Sequence, residues 1–430
     1  MNLMPNNNST FEAGIVIVAL NKDFVCSNSP DCYNDILQGI DFEAVNIIFQ
    51  STDSSMGDII SVQLKHNDNL SVIQAINKLL ANPYVIYAEP SFLFDMQLIP
   101  NDPYFRYLWG ARQIQSTQAW NYTTGSADVV VGVIDSGIDF NHPDIKSNLW
   151  ISQNRQYIDG WNFLDNNNNS MDTTGHGTHV AGTIGAVGNN FLGITGMCWR
   201  VQVASLKIGH IHFSLEAAIA AINFANQHNI PILNNSWGGR FNSPILKLVI
   251  EQYDGLFIAA AGNHGTNNDI LPLYPASYDC DNIISVAATN QNNTLAPFSN
   301  YGVNSVDIAA PGTNILGLTV NGGYIYNSGT SMSAPYVAGA AALLKAYIPD
   351  LTTSDIKSII LSSAEKHPNL SDKVLTSGIL NMNAMFELAN RYATNSFVSY
   401  EIANSYAPNS LARMILSLLA LLNMSEGRFS

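Results

Sequence analysis

Three short strings in this chain carry, in order, an acid, a base and a nucleophile: Val133-Ile134-Asp135-Ser136-Gly137, Gly175-His176-Gly177-Thr178-His179 and Ser328-Gly329-Thr330-Ser331-Met332. A serine hydroxyl is a poor nucleophile at neutral pH unless an imidazole removes its proton. The imidazole in turn needs a carboxylate that fixes its tautomer and stabilises its protonated form. Asp135, His176 and Ser331 are residues of those three types, and the chemistry they suit is acyl transfer through a covalent intermediate. The other reading of the second string is a metal pair, His176 with His179. Helical zinc proteases use His-Glu-x-x-His, with i, i+4 spacing and a glutamate as base. Here the histidines stand at i, i+3 and Gly177 takes the glutamate position, so His179 reads as a structural, hydrogen-bonded residue. His142 falls in a turn-like stretch, and His210, His212, His228 and His264 show no ligand spacing with one another.

The surrounding sequence says how such residues are positioned. Residues 127–134 form an almost continuous apolar run, typical of a central parallel strand covered on both faces, so Asp135 emerges at its carboxyl end. Open α/β sheets place their sites at that edge. From His176 onward small apolar residues predict a helix whose first turn carries the histidine and whose glycines permit close packing. After Ser331, an Ala-rich helix is expected over 334–345, with Pro335 at its start, where a missing N–H costs nothing. Ser331 then lies at a helix N-terminus, where free N–H groups favour developing negative charge and its own N–H is an oxyanion donor candidate. A fourth string, Phe257-Ile258-Ala259-Ala260-Ala261-Gly262-Asn263, reads as a buried strand running to a polar tip. Helices near 215–227 and 244–253 alternate with strands near 230–235 and 283–287, the pattern of a parallel sheet with helices on both faces.

Ahead of this region, strands at 14–20, 44–49 and 59–64, a helix at 70–80 and a closing strand at 84–90 fit a small β-α-β-β-α-β domain. The expected organisation is therefore residues 1–97, 98–390 and a tail over 391–430, in which 411–422 forms an apolar helix too short to span a bilayer. The formal charge of −15 comes with no basic cluster, which argues against nucleic acid or an anionic membrane as partner. Cys26, Cys32, Cys198 and Cys280 show no CxxC spacing and fit either a disulfide-poor secreted protein or an intracellular one. The first residues are polar, with no basic segment followed by an apolar core, so no secretory signal is visible.

The order Asp, His, Ser, with the fourth string between the last two, resembles the subtilisin-like serine proteases, the subtilases, over residues 100–388. The first domain is similar to the subtilase propeptide, above all in its ending: a helix, the Asn82-Pro83 turn and the strand Val85-Ile86-Tyr87-Ala88-Glu89-Pro90. The resemblance implies a doubly wound subtilisin-like α/β fold preceded by a ferredoxin-like α+β domain. It implies a serine endopeptidase acting on proteins or peptides and made as a self-processing zymogen. The first domain would serve as intramolecular chaperone and inhibitor, with cleavage between about residues 94 and 101. Asn263 would donate to the oxyanion, and Ser236, Trp237, Gly238, Ala260, Ala261 and Gly262 would line the primary specificity pocket and hold the peptide as an added strand. Leu273 stands where a small residue often leaves that pocket open, implying medium apolar side chains at P1, the residue before the scissile bond. A structural Ca²⁺ is implied, held by Asp102, Asp144 and Asn190 side chains and the carbonyls of Val187, Leu192 and Ile194. No organic cofactor is implied, a monomer is expected, and the family favours an extracellular or cell-surface destination. The alternative is a catalytically silent binding or chaperone protein on the same fold.

Overall fold

The computed structural model describes residues 11–24, 30–51, 57–93, 98–152 and 154–392. The chain divides into two compact units, Met1–Met96 and Gln97–Ser430. The expected tail helix over 411–422, and residues 94–97 of the expected cleavage region, lie outside the described residues.

In the first unit, β1 (Phe11–Leu20), β2 (Phe42–Phe49), β3 (Ile59–Leu64) and β4 (Val85–Phe92) form an antiparallel sheet in the order β2-β3-β1-β4. Alternation along β1 and β3 sends Val16, Val18, Leu20, Ile60, Val62 and Leu64 to one face. Helix α1 (Asn69–Leu79) covers that face with Val72, Ala75, Ile76 and Leu79, and its N-cap Asp68 accepts from Ser71 N–H. The first crossover departs from the expected pattern: it holds a 3₁₀ turn, Pro30–Asp35, in place of an α-helix. The Pro-Asp-Cys-Tyr-Asn-Asp sequence explains this, since Asp and Asn compete with the helical backbone for hydrogen bonds and Cys32 is tied into a disulfide.

The second unit begins with short helices α2 (Trp109–Gln113) and α3 (Ser116–Ala119), then builds a nine-stranded sheet. Its strands are β5 (Gly125–Asp135), β6 (Gly160–Asn162), β7 (Arg200–Lys207), β8 (Ile232–Asn235), β9 (Leu256–Ala260), β10 (Ile283–Thr289), β11 (Ile308–Pro311) and, after a separate hairpin of β12 (Ile315–Thr319) and β13 (Gly323–Asn327), β14 (Glu365–Lys366) and β15 (Gly378–Ile379). The order is β14-β15-β11-β10-β9-β8-β5-β7-β6, parallel except for the β14/β15 edge pair. From β5 the chain first runs to β6 at the sheet edge, comes back to insert β7 between β6 and β5, and then crosses to lay β8 on the opposite side of β5. The strand order therefore reverses beside β5, and the crevice at its carboxyl end is where such folds place ligands.

Period-two burial divides the core between the two faces. Val131, Val133, Ile258 and Ala260 face α4 (His176–Gly185) and α7 (Thr330–Tyr347), and α8 (Thr353–Ser362) packs on α7. Ile134, Phe257 and Ala259 face α5 (Leu215–Gln227) and α6 (Pro244–Glu251). The doubly wound arrangement read from the sequence is thus present. The glycines of α4 do permit close packing, since a Cβ at Gly182 would stand 2.5 Å from Leu318 Cγ. His179 is completely buried on the same helix, and its Nε2–H donates to Ile315 O of β12 at 3.0 Å. Burial holds this imidazole neutral, with its pKa lowered to about 4. Two expected boundaries shift. β9 stops at Ala260 because Gly262 turns the chain at φ +112°, and α7 begins at Thr330, which makes Pro335 its sixth residue. Among the described residues no helix is long and apolar enough to cross a membrane.

Candidate active site

Asp135 is the last residue of β5 and is completely buried. Its Oδ1 accepts from Ser136 N–H and from His176 Nδ1–H, each at 2.7 Å. His176 opens α4 and keeps 34% of its side chain exposed, so the nitrogen away from Asp135 faces outward as an acceptor. Burial disfavours its charged form. The charge and hydrogen bond of Asp135, aided by the charge of Asp172, outweigh that and hold the imidazole above the ordinary histidine value of 6.5.

Ser331 is the second residue of α7. Pro335, with no N–H, cannot bond the Ser331 carbonyl four residues back, and the Ser236 hydroxyl donates to that carbonyl instead at 2.9 Å. The Ser331 hydroxyl donates to Ser236 O at 3.1 Å. Ser236, expected among the peptide-contacting residues, thus turns both its hydroxyl and its carbonyl toward the serine. Its hydroxyl is itself oriented by Asn234 Nδ2–H at 3.0 Å.

Asn263 follows the Gly262 turn and is exposed. Its Oδ1 accepts from Thr330 N–H at 2.8 Å and from the Thr330 hydroxyl at 2.9 Å. Both donors hold the oxygen, leaving the amide NH₂ as the outward group. The Thr330 hydroxyl also accepts from Gly262 N–H at 3.0 Å. Thr330 is therefore the residue that sets the orientation of Asn263, a role the sequence reading missed. The available signal was a threonine at a helix start, a common place for side-chain to backbone bonding.

The expected pocket segments lie side by side. Ala260 and Ala261 are buried at the end of β9, Trp237 is half-buried and Gly238 is exposed. Gly239 and Tyr274 exchange backbone hydrogen bonds of 2.8 and 2.7 Å. Leu273 fills the gap between the segments, for a Cβ at Gly238 would stand 2.8 Å, and one at Gly262 2.7 Å, from its Cδ2.

The loop before α4 holds a second residue the sequence reading missed. Asp172, buried at 3% exposure, accepts from the Ser136 hydroxyl (3.0 Å), Thr174 N–H (2.8 Å), the Thr174 hydroxyl (3.0 Å), Thr178 N–H (3.0 Å) and the Thr178 hydroxyl (2.7 Å). Its signal was Asp-Thr-Thr just ahead of a helical run, a helix-start pattern.

The residues expected at a cation also converge. Asp102 Oδ2 accepts from Asn189 N–H at 2.7 Å, while its buried Oδ1 has no partner. Asp144 accepts from Asn190 Nδ2–H (2.9 Å), Ile194 N–H (2.9 Å) and the Tyr324 hydroxyl (3.2 Å). Burial raises the pKa of both carboxyls, and the charge of Asp144 raises that of Asp102 further. Among the described residues no three His, Cys, Asp or Glu side chains cluster as metal ligands.

The sequence profile of the subtilase family matches residues 126–384, from β5 past β15. A thermophilic serine proteinase of Bacillus sp. (strain AK1) is 37% identical over 287 residues, 65% of this chain and 67% of that one. Thermitase of Thermoactinomyces vulgaris is 34% identical over 273 residues, 62% of this chain and 92% of that protein. Among solved structures, a protease from Pseudoalteromonas arctica PAMC 21717 superposes with a TM-score of 0.59 at 28% identity, covering 67% of this chain and 99% of its own. The profile spans more than half of the chain and includes all three strings with which the sequence reading began: this chain belongs to the subtilase family of serine proteases.

Proposed function

We propose that this chain is a serine endopeptidase in which Ser331 attacks a peptide carbonyl. The observation that carries the reading is the 2.7 Å pair between buried Asp135 and half-exposed His176. As substrate binds, the Ser331 hydroxyl turns from Ser236 O to the free imidazole nitrogen. His176 takes its proton as Oγ bonds to the carbonyl carbon, and Asp135 steadies the imidazolium. Collapse of the intermediate breaks the C–N bond, and His176 returns the proton to the leaving amine. Water, deprotonated by His176, then releases the acyl group and restores Ser331.

Asn263 and the Ser331 N–H are the proposed oxyanion donors. A Cβ at Gly329 would stand 3.3 Å from Asn263 Nδ2 and 3.7 Å from Ser331 N, so both border one space that glycine leaves open. A donor of this kind, in the case of subtilisin's own asparagine, is worth about 10²–10³ in kcat. Gly329→Ala puts a methyl in that space, and kcat is expected to fall about 100-fold with KM and Tm unchanged. Wild-type turnover in the variant would show that the oxyanion forms elsewhere.

The first unit, with its own core, is proposed as the inhibitor and chaperone domain of a zymogen. Intact mass of wild type and Ser331→Ala, expressed side by side, checks this. Loss of the first unit in wild type only is expected. Full-length chain in both would leave processing by another protease, or a silent scaffold, as the reading.

The packing of Leu273 between Gly238 and Gly262 supports a shallow pocket that takes medium apolar P1 side chains. In a peptide series varied only at P1, kcat/KM should peak at such residues, and Leu273→Ala should move the peak toward larger ones. A peak at Lys, Arg, Asp or Glu would refute this.

The cation loop suits a hard ion such as Ca²⁺. Asp102 Oδ1 is buried and unpartnered, and the carbonyls of Val187, Leu192 and Ile194 accept no hydrogen bond from a described residue. Asp102, Asp144, Asn190 and those carbonyls would hold the ion, which when bound would neutralise the paired carboxylates. The raised carboxyl pKa values mean that the folded state binds protons more tightly than the unfolded state. Metal-free stability then falls as pH rises above the unfolded value of 3.8 through the folded one. The gain from Ca²⁺ should therefore be small at low pH and grow as pH rises. In the Ser331→Ala chain at pH 7, Ca²⁺ over chelator is expected to raise Tm by about 5 °C, an effect lost in an added Asp102→Asn. An unchanged Tm would count against the site.

A further inference from the structure

The loop that carries Asn263 leaves the end of β9 and runs beside the connection between β10 and β11, a segment the proposed chemistry does not use. Asn267 and Tyr301 form an isolated parallel bridge between the two. Asn268 N–H donates to Tyr301 O at 2.6 Å, and Tyr301 N–H to Thr266 O at 3.1 Å. Next to the bridge stand two buried amides, Asn268 at 1% and Asn300 at 0% exposure. Asn300 Nδ2–H donates to Asn268 Oδ1 at 2.9 Å, and Asn268 Nδ2–H donates to Ala261 O at 2.9 Å. Burying two side-chain amides is tolerable only when their polar atoms are bonded, and here each is.

Asn300 does more than complete this network. Its backbone N–H donates to Gly262 O at 2.8 Å, and its Oδ1 accepts from His264 N–H at 2.9 Å. Oδ1 also accepts from Thr266 N–H at 3.3 Å. The residues on both sides of Asn263 are therefore bonded to one buried residue. The approach is close: a Cβ at Gly262, whose φ is +112°, would stand 2.5 Å from Asn300 Nδ2. From α7, the Thr330 hydroxyl holds the same segment by accepting from Gly262 N–H and donating to Asn263 Oδ1. Thr330 thus sets where the Asn263 amide points, and Asn300 sets where its backbone stands. A donor acts only within about 2.7–3.1 Å of the developing oxyanion, and a misplacement of about 1 Å can cost about 100-fold in rate. We propose that Asn300 is a positioning residue for the oxyanion donor: by bonding Gly262 O and His264 N–H it fixes the backbone of Asn263, so that the NH₂ meets the oxyanion without rearrangement. The inference rests on the reading of Asn263 as a donor given above.

The test is a double-substitution cycle in the full chain: wild type, Asn300→Ala, Asn263→Ala and the pair, with Ser331→Ala as the blank and active sites titrated to completion with a sulfonyl fluoride. Asn300→Ala takes away the bonds to His264 and Asn268 and keeps the backbone N–H on Gly262. Alone it should lower kcat about tenfold with KM within about twofold. It should also weaken a peptide aldehyde, whose hemiacetal with Ser331 mimics the oxyanion, by about tenfold and leave the matched peptide alcohol unchanged. In the Asn263→Ala background the same substitution should change kcat by less than about twofold, because the group it positions is gone. An equal loss in both backgrounds overturns the inference, since Asn300 would then support the fold and not the donor, and so does wild-type kcat in Asn300→Ala. If Asn300→Ala does not fold, Asn268→Ala takes its place in the cycle, because it removes the partner that orients the Asn300 amide. A loss of kcat seen only where Asn263 is present supports the inference, and an equal loss without Asn263, or none at all, overturns it. Wild-type kcat in Asn263→Ala would instead defeat the donor reading. Wild type that turns over no more substrate than Ser331→Ala would defeat the triad reading.

Discussion

A carboxylate with no access to water, bonded to an imidazole that keeps one edge in solvent, is the constraint around which the second unit is arranged. Burying Asp135 is costly unless its charge is answered, and at the end of β5 the answers are a backbone N–H one residue on and His176 across the loop. That geometry demands a rigid support. β5 lies between β7 and β8 with both faces covered, and α4 packs through glycines so closely that its first turn sits over the strand end. The same burial that strengthens the pair also excludes water from it, so the interaction acts in a low dielectric.

Much of the remaining site is held by backbone groups that regular structure leaves unpaired. Pro335 denies the Ser331 carbonyl its helical partner, and Ser236 takes that carbonyl, fixing the start of α7 to the end of β8. Thr330 occupies Oδ1 of Asn263 with two donors, so its NH₂ faces outward. In each case a side chain distant in sequence, Ser236 for Ser331 and Thr330 for Asn263, determines how a candidate catalytic residue is held. The arrangement depends on the C-terminal ends of β5, β8 and β9 lying level, which parallel pairing in register provides.

The sequence revealed the scaffold more readily than the supports. Continuous apolar runs through 127–134 and 257–261 mark buried parallel strands, and helical spacing marks α4 and α7, because burial imposes those patterns directly. Helix boundaries were less legible. Ser331 through Ala334 carry no helix signal stronger than that of a turn, so the sequence pattern starts α7 only at Ala334 and puts Pro335 in its first turn, whereas the helix begins at Thr330. The reduction of the first crossover in the leading unit to a 3₁₀ turn was equally hidden, because only six residues carry it. Asp172, Thr330 and the role of Ser236 stayed unseen for a different reason. They act on residues distant in the chain, and nothing in local sequence reports a partner 36, 67 or 95 residues away.

The central claim is that His176, poised by buried Asp135, activates Ser331. The most direct measurement is the rate of covalent modification by a sulfonyl fluoride, followed by intact mass and peptide mapping across pH. The account predicts one adduct per chain, on Ser331, forming at a rate that rises as a group with pKa above 6.5 loses its proton, and no adduct in His176→Ala. Modification at another residue, or a rate on Ser331 indifferent to His176, would contradict it.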